Sequence, residues 1–146
     1  MLVSLSVRDV VLIKKVDLSF DSGFSSLTGE TGAGKSILID ALGLILGKRS
    51  ENRLIRKGQN LATVTAGFDV PGSHKVKQYV RKSGIAVEKE FILRRQIYSN
   101  GRSQSYLNDQ IISLNFMKEI GLMLVEIHGQ NSKQGLLDNS THIRVF

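Results

Sequence analysis

The chain has 146 residues, of which 41% are hydrophobic, so it can bury a core as one soluble domain or as part of a larger one. The absence of cysteine excludes disulfides, thiolate-bound zinc and a cysteine nucleophile, and the three scattered histidines form no HExxH pair for a zinc hydrolase. The net charge of +7 favours a polyanionic partner, such as nucleic acid or an acidic membrane surface.

The chain opens with two predicted strands, Leu2–Arg8 and Lys14–Phe20, because apolar and polar residues alternate in both. Asp21-Ser22-Gly23 then predicts a turn. The sequence FSSLTG at 24–29 predicts a short strand that enters a glycine-rich loop. The predicted buried faces of the first two strands hold Val3, Leu5, Val7, Val16, Leu18 and Phe20.

The glycine-rich loop reads GETGAGKS and matches the pattern G-x-x-x-x-G-K-[ST] at every position. Its glycines let successive backbone N–H groups converge on one anion, and the following helix adds the positive end of its dipole. Lys35 supplies a mobile cation for the β- and γ-phosphates, and Ser36 supplies a hydroxyl for Mg²⁺. The alternative is a glycine-rich turn, which is disfavoured because the motif lies between an apolar strand and an apolar helix. The predicted magnesium-nucleotide site comprises Gly29, Glu30, Thr31, Gly32, Ala33, Gly34, Lys35 and Ser36.

Ser36–Leu46 predicts a helix that is apolar on nearly all sides, with Asp40 as its only charge. Such a pattern is typical of a helix buried in a layered fold. Gly47 can end this helix in the left-handed conformation, and the polar, basic segment 50–60 predicts a loop. Leu61–Val70 predicts a strand whose buried face holds Val64, Ala66, Phe68 and Val70.

The second half of the chain predicts short elements joined by tight turns. Asn100-Gly101 is the strongest short hairpin signal, since both central residues of the usual turn take positive φ. The element order predicts an α/β or α+β domain with mixed strand direction. The predicted elements are a short basic helix over 73–84 closed by Gly84, strands over Phe91–Tyr98 and Gln104–Asn108, a helix over Ser113–Gly121, a short buried strand over 122–127 and a helix start at Asn139 or Ser140.

Nucleotide hydrolysis needs an acid that reaches Mg²⁺ from a second strand and a group that orients the attacking water. Glu126 follows four apolar residues and is one candidate acid, although such runs are common in buried strands; Asp69 is a weaker candidate. Gln130 follows the predicted strand in a glycine loop, where it either touches Mg²⁺ and water or bonds to backbone. His128 is interpreted as a packed or solvated histidine, and no NKxD motif indicates a GTPase.

Four segments in this order carry a family resemblance: LTGETGAGKSILIDALGLILGKR, LIRKG, NGRSQSYLND and VEIHGQN. They resemble the N-terminal part of the RecN family of bacterial DNA repair proteins, which are SMC-like ATPases. The opening LSVRDVVLIKKVDLSF is similar as well, so the resemblance spans nearly the whole chain. It implies an α/β fold, namely the N-terminal half of a P-loop NTPase head of the ABC/SMC type, with an antiparallel β subdomain beside the Walker A strand, loop and helix.

The resemblance also implies roles for individual residues. Lys35 and the glycines around it would form the Walker A loop that binds ATP, and Gln130 would be the Q-loop glutamine that contacts Mg²⁺ and senses the γ-phosphate. Lys35 and Gln130 are therefore the predicted catalytic residues, and Ser36 and Gln130 the predicted metal ligands. Glu126 would merely precede the Q-loop, and Asn131 departs from the histidine-containing segment usual in the family. The candidate DNA-sensing residues, among which the sequence does not choose, are Arg49, Arg53 and Arg56.

Members of this family continue into a coiled coil, a signature motif, a Walker B acid pair and a switch histidine, none of which is present in residues 1–146. We therefore expect the chain to be the first half of a head that binds ATP but hydrolyses it negligibly alone. The implied partners are the C-terminal half of the head, a second head in a homodimer, and DNA during double-strand break repair and recombination. The implied location is the cytoplasm, associated with the nucleoid and not with a membrane.

Three basic clusters, KRSENRLIRKG, HKVKQYVRK and RRQIYSNGR, are the predicted DNA contacts. Only Tyr79 and Tyr98 interleave with them, which favours contact with the phosphate backbone over reading of bases. Solvated surface charge is the alternative for each cluster. Two other functions stay open at this point: a different P-loop enzyme, such as a small-molecule kinase, and a non-catalytic truncated module that binds DNA or a protein partner.

Overall fold

The computed structural model describes residues 2–19, 32–70, 75–86 and 89–128. Two strands come first, and the remaining strands and the helices follow with short connections. The strands are β1 Leu2–Val10, β2 Ile13–Ser19, β3 Leu61–Asp69, β4 Glu90–Tyr98, β5 Ser103–Leu107 and β6 Gln110–Ile112. The helices are α1 Gly32–Ile45, α2 Lys75–Lys82 and α3 Leu114–His128.

The strands form one antiparallel sheet in the order β2-β1-β3-β4-β5-β6. Helix α1 packs on β1, β3 and β4, α3 packs on β5, and α2 packs on α3. The mixed strand direction predicted from the sequence is not found among the described strands, and the predicted strand at 24–29 lies outside them. The antiparallel β subdomain is therefore the layer on which the glycine-loop helix rests.

The core lies between this sheet and its helices. Most of the strand residues that the alternation of apolar and polar residues predicts to be buried are buried. The predicted buried residues of β3 and the position after it are all buried, as are alternate residues of β4. Burying each large aliphatic or aromatic side chain contributes about 1.5–3 kcal/mol. The buried members from these two strands are Ala62, Val64, Ala66, Phe68, Val70, Phe91, Leu93, Arg95 and Ile97.

Strand β1 departs from strict alternation at both ends. Leu5 and Val7 are buried as predicted, but Leu2 is buried in place of Val3, because a bulge shifts the register between Leu2 and Ser4 against β3. Val10 is also buried. Asp9 takes a φ of 55°, and this irregularity turns the side chain of the next residue to the buried face of the strand. Such backbone irregularities cannot be predicted from the alternation of apolar and polar residues in the sequence.

The hairpin predicted at Asn100-Gly101 is confirmed, but its turn differs from the expected one. Of the two residues only Gly101 has positive φ, 92°. The Gly101 N–H donates to the Tyr98 carbonyl at 3.0 Å, and the Tyr98 N–H donates to the Arg102 carbonyl at 2.9 Å. The loop is therefore a three-residue connection that closes with a left-handed glycine, not a two-residue turn.

Strand β6 was not predicted from the sequence. It is joined to β5 by Asn108 and Asp109, which both take positive φ, at 48° and 68°. Leu107 pairs with Gln110, so this connection is a two-residue turn. Asn-Asp can adopt the conformation of Asn-Gly, but without glycine the signal is weaker.

The predicted strand over 122–127 is wrong, because α3 continues through these residues to His128. The helix begins as expected, with the Phe116 N–H donating to Ser113 Oγ at 3.0 Å. Its buried residues Met117, Ile120 and Leu124 keep a helical spacing across Gly121. Gly121 does not break the helix. It allows close packing, since an added Cβ would lie 3.3 Å from the Cα of Leu46.

Helix α1 ends at a left-handed glycine, as predicted. Gly47 has a φ of 96°, its N–H donates to the Leu44 carbonyl at 3.1 Å, and the Lys48 N–H donates to the Gly43 carbonyl at 3.0 Å. These two bonds form a Schellman cap. The basic segment that follows is more ordered than predicted, because it contains a 3₁₀ turn with a buried Leu54.

Gly47→Ala should destabilise the fold by about 3 kcal/mol, from the cost of a left-handed alanine and from collision of the new Cβ with the Lys118 side chain. Gly84→Ala is the matched control, since Gly84 has a φ of 84° but open space around it, and it should cost only about 1 kcal/mol. Urea denaturation of both variants measures the difference. Equal losses would contradict the close packing of α1 against α3.

Candidate functional site

The site predicted from GETGAGKS is at the N-terminus of α1. The backbone of residues 32–35 forms the first turn of the helix, so α1 begins before the predicted start at Ser36. Ser36 is exposed, and the first turn carries no acidic residue. Gly29, Glu30, Thr31 and Gln130 lie outside the described residues. A helix start with free N–H groups and no nearby carboxylate in its first turn fits the binding of an anionic phosphate.

Packing holds this helix start in place. The apolar face of α1 is buried against the sheet, so the helix is a fixed part of the core and not a mobile surface element. The dipole and the free N–H groups of its first turn therefore point in a fixed direction. The buried residues of α1 are Ile37, Leu38, Ala41, Leu42, Leu44 and Ile45.

Arg95 of β4 holds the opposite end of α1. The side chain is only 1% exposed, and one of its terminal nitrogens donates to the Leu44 carbonyl at 3.0 Å and also to the Lys48 carbonyl. No carboxylate pairs with it among the described residues, and its Nε has no partner there. Burial lowers the pKa of Arg95. The negative end of the α1 dipole supplies the compensation that a carboxylate would otherwise provide.

The three candidate DNA-sensing arginines follow this end of the helix and differ in their partners. Arg56 Nε donates to Asp9 Oδ1 at 3.1 Å, and its backbone N–H donates to the Asp9 carbonyl at 2.8 Å. Arg53 forms an exposed pair with Glu51 at 3.0 Å, and the hydrogen bond with Glu51 raises the pKa of Arg53. Arg49 is exposed and has no ion pair within the part of the chain that the structure describes.

The two candidate regions lie at opposite ends of α1. The helix has 14 residues, so its ends are about 21 Å apart. Arg49 follows the C-terminal end and therefore lies far from a phosphate bound at the N-terminal end. The structure therefore places the three arginines beyond the end of α1 that is opposite to the predicted nucleotide site.

The other candidates are placed as follows. Position 126 lies on α3, so the interpretation of Glu126 as an acid that follows a strand is wrong. Asp69 ends β3, and His128 ends α3. Tyr79 stacks on Phe116 with ring centroids 5.2 Å apart. One of the two aromatic residues in the basic clusters therefore packs against another side chain of the fold.

Arg95 belongs to the predicted DNA-contact cluster RRQIYSNGR, and that prediction is wrong for this residue because its side chain is buried; a role for Asp9 was not predicted. A signal for Arg95 was present, because FILRRQIY places it on the same alternating face as Phe91, Leu93 and Ile97. A charged residue in that register must find partners inside the fold. Asp9 carried no such signal, since its partner Arg56 is 47 residues away.

Comparisons with known proteins agree with this geometry. The family model RecF/RecN/SMC N terminal domain matches residues 1–128. The DNA repair protein RecN of Halalkalibacterium halodurans is 40% identical across all of the chain, and that of Vibrio cholerae is 38% identical across 94% of it. The chain spans about a quarter of these relatives, 26% and 25% of their lengths.

A solved structure shows the same fold. It comes from work on the ATP-driven dimerization and DNA stimulated activation of SMC ATPases, and it matches with a TM-score of 0.67 at 24% sequence identity. The match covers 84% of this chain and 78% of that one. The fold is that of the N-terminal half of a head domain of the SMC type.

Within that class the chain belongs to the RecF/RecN/SMC family, and it corresponds to the N-terminal part of a RecN-type head. The small-molecule kinase and the unrelated binding module are not favoured by these relatives. In the described residues, no helix combines the length and the apolar character needed to cross a bilayer.

Arg95→Ala should cost about 3 kcal/mol of stability, because it removes the donor that holds two carbonyls at the end of α1 and leaves a cavity. Arg94→Ala is the control on the opposite face of the same strand. Arg94 pairs with the exposed Asp109 and should cost about 1 kcal/mol or less. Chemical denaturation compares the two, and an equal or smaller loss for Arg95→Ala would contradict its role as a clamp.

Proposed function

We propose that this chain is the ATP-binding part of an ATPase head that acts in the repair of DNA double-strand breaks and in recombination. The observation that carries the proposal is the start of α1, where a complete Walker A sequence opens a helix buried against the sheet. The relatives named DNA repair protein RecN support the biological role.

The residues of the Walker A loop fit ATP with Mg²⁺. Gly29, Gly32 and Gly34 would let backbone N–H groups surround the phosphates, while Lys35 would neutralise the terminal phosphates. Ser36, which is exposed at the helix start, would ligate Mg²⁺ together with Gln130. The bound Mg²⁺ supplies positive charge that neutralises the β- and γ-phosphate oxygens.

Hydrolysis would need groups beyond this chain. We propose that the C-terminal half of the head and the signature motif of a second head complete the site, so that the active unit is a homodimer of engaged heads. Residues 1–146 alone would bind ATP with negligible turnover. The work of such a head on chromosomal DNA would place it in the cytoplasm, associated with the nucleoid.

DNA would be contacted by the basic loop after α1, mainly through its phosphates. Arg49 is the strongest candidate of the three arginines, because the side chains of Arg53 and Arg56 already pair with Glu51 and Asp9. Contacts of this kind release counterions, so the affinity should fall steeply with salt. The separation of this loop from the helix start would allow ATP and DNA to bind at the same time.

Lys35→Ala should abolish ATP binding in a titration with Mg²⁺ present, because it removes the cation expected at the terminal phosphates. Lys48→Ala is the matched control, since it removes the same charge at the opposite, exposed end of α1 and should leave ATP affinity unchanged. Isothermal titration calorimetry measures both. ATP affinity in Lys35→Ala equal to that of the parent chain would refute the proposal.

A further inference from the structure

A polar cleft of about 520 Å³ lies at the turn between β4 and β5. Tyr98 and Gln104 lie on the face of the sheet opposite α1, because the alternate residues of β4 are the ones buried beneath that helix. None of the lining residues belongs to the Walker A loop or to the basic loop that follows α1. The lining residues are Tyr98, Asn100, Arg102, Ser103 and Gln104.

The turn that forms this cleft has the composition of loops that recognise proteins. It reads YSNGRSQ over residues 98–104. Tyrosine, serine, glycine and asparagine dominate the recognition loops of antibodies, and arginine is common among the residues that contribute most to their binding. Tyrosine supplies a large contact area with few rotatable bonds, while serine and asparagine supply hydrogen bonds that adapt to the partner. The composition therefore favours a protein partner.

Hydrogen bonds within the fold hold the turn in one conformation. Asn100 Oδ1 accepts from the Arg102 N–H at 3.0 Å. The Ser99 N–H donates to the Asn60 carbonyl at 3.0 Å, and the Ser99 carbonyl accepts from Asn52 Nδ2 at 3.1 Å. Because these bonds already order the turn, little conformational entropy is lost when a partner binds to it.

The charge of the cleft suits a carboxylate. Among the described lining residues only Arg102 is charged, and its exposed side chain has no ion pair in the part of the chain that the structure describes. A guanidinium binds a carboxylate through two parallel hydrogen bonds. A strand of nucleic acid instead needs a series of cations that follow its backbone. A single unpaired arginine therefore fits an acidic side chain of a protein better than a run of phosphates.

The remaining groups suit the backbone and an apolar side chain of a peptide. The amide nitrogen of Asn100 can donate to a peptide carbonyl, and the amide of Gln104 can both donate and accept. The hydroxyl of Tyr98 donates to Gln96 Oε1 at 3.2 Å, which holds the ring in place. A fixed aromatic ring offers a surface for an apolar side chain.

We propose that this cleft docks an acidic peptide segment of a protein partner. A carboxylate of the segment pairs with Arg102, and a neighbouring apolar side chain packs on Tyr98. The net charge of +7 adds long-range attraction for an acidic partner. The inference goes beyond the proposed function, because this contact requires neither ATP nor DNA. It assigns to a protein an arginine that lies in the predicted DNA-contact cluster RRQIYSNGR.

The first test is selection of binders to the purified chain from a phage-displayed library of random linear peptides. Peptides recovered on the parent chain should be enriched in aspartate and glutamate next to apolar residues. Arg102→Glu should recover lysine and arginine in their place, because the charge of the cleft is inverted. Arg94→Ala is the matched control on the same face of β4. It should recover the peptides of the parent chain, since Arg94 already pairs with Asp109 at 3.0 Å.

Fluorescence anisotropy then measures the affinity of one selected peptide that carries a fluorescent label. Arg102→Ala should weaken binding about tenfold, because it removes a charge-assisted hydrogen bond. Tyr98→Ala should weaken binding by a similar factor, whereas Tyr98→Phe keeps the ring and should bind like the parent chain. Circular dichroism spectra of all variants establish that they are folded.

The proposal is overturned if the recovered peptides show no excess of acidic residues. It is also overturned if Arg102→Ala and Tyr98→Ala lose no more peptide affinity than the Arg94→Ala control. DNA is the alternative occupant of the cleft. If the same two substitutions weaken binding of labelled DNA and leave peptide binding unchanged, the cleft is a nucleic-acid site and the proposal is wrong.

Discussion

The structure depends on one buried charge, that of Arg95, which has no carboxylate partner in the part of the chain that the structure describes. Arg95 projects from the middle of the sheet into the core, and its donors meet the carbonyls of Leu44 and Lys48 at the end of α1. An arginine in this position would be costly without compensation, and the helix terminus provides it. The interaction ties α1 to the antiparallel sheet at one end. It thereby fixes the direction in which the opposite end presents its free N–H groups.

Close packing reinforces this arrangement. Gly47 turns the chain directly after α1, and Gly121 lets α3 approach the backbone of Leu46. Because both contacts are at the C-terminal end of α1, the helix is held where it meets the basic loop. The predicted phosphate site and the basic loop therefore lie at opposite ends of the same helix.

Much of this could be predicted from local patterns. Alternation predicted β1, β2 and β3, the Asn100-Gly101 signal predicted β4 and β5, and Gly47 predicted the end of α1. The failures have physical causes. The sequence LMLVEI is compatible with a strand or with a helix. It forms a helix because α3 packs against α2 and β5. The pairing of Asp9 with Arg56 and the partners of Arg95 depend on which elements meet in space, which no local pattern encodes.

In the proposed function, the first turn of α1 receives the phosphates of ATP. Hydrogen–deuterium exchange with and without Mg²⁺ and ATP tests it most directly, because the N–H groups of a first helical turn have no partner inside the helix. Nucleotide should slow exchange at residues 32–34, whereas the N–H groups of Gly47 and Lys48 are already bonded and should exchange slowly in both states. Unchanged exchange at residues 32–34 under saturating ATP would refute phosphate binding at this helix start.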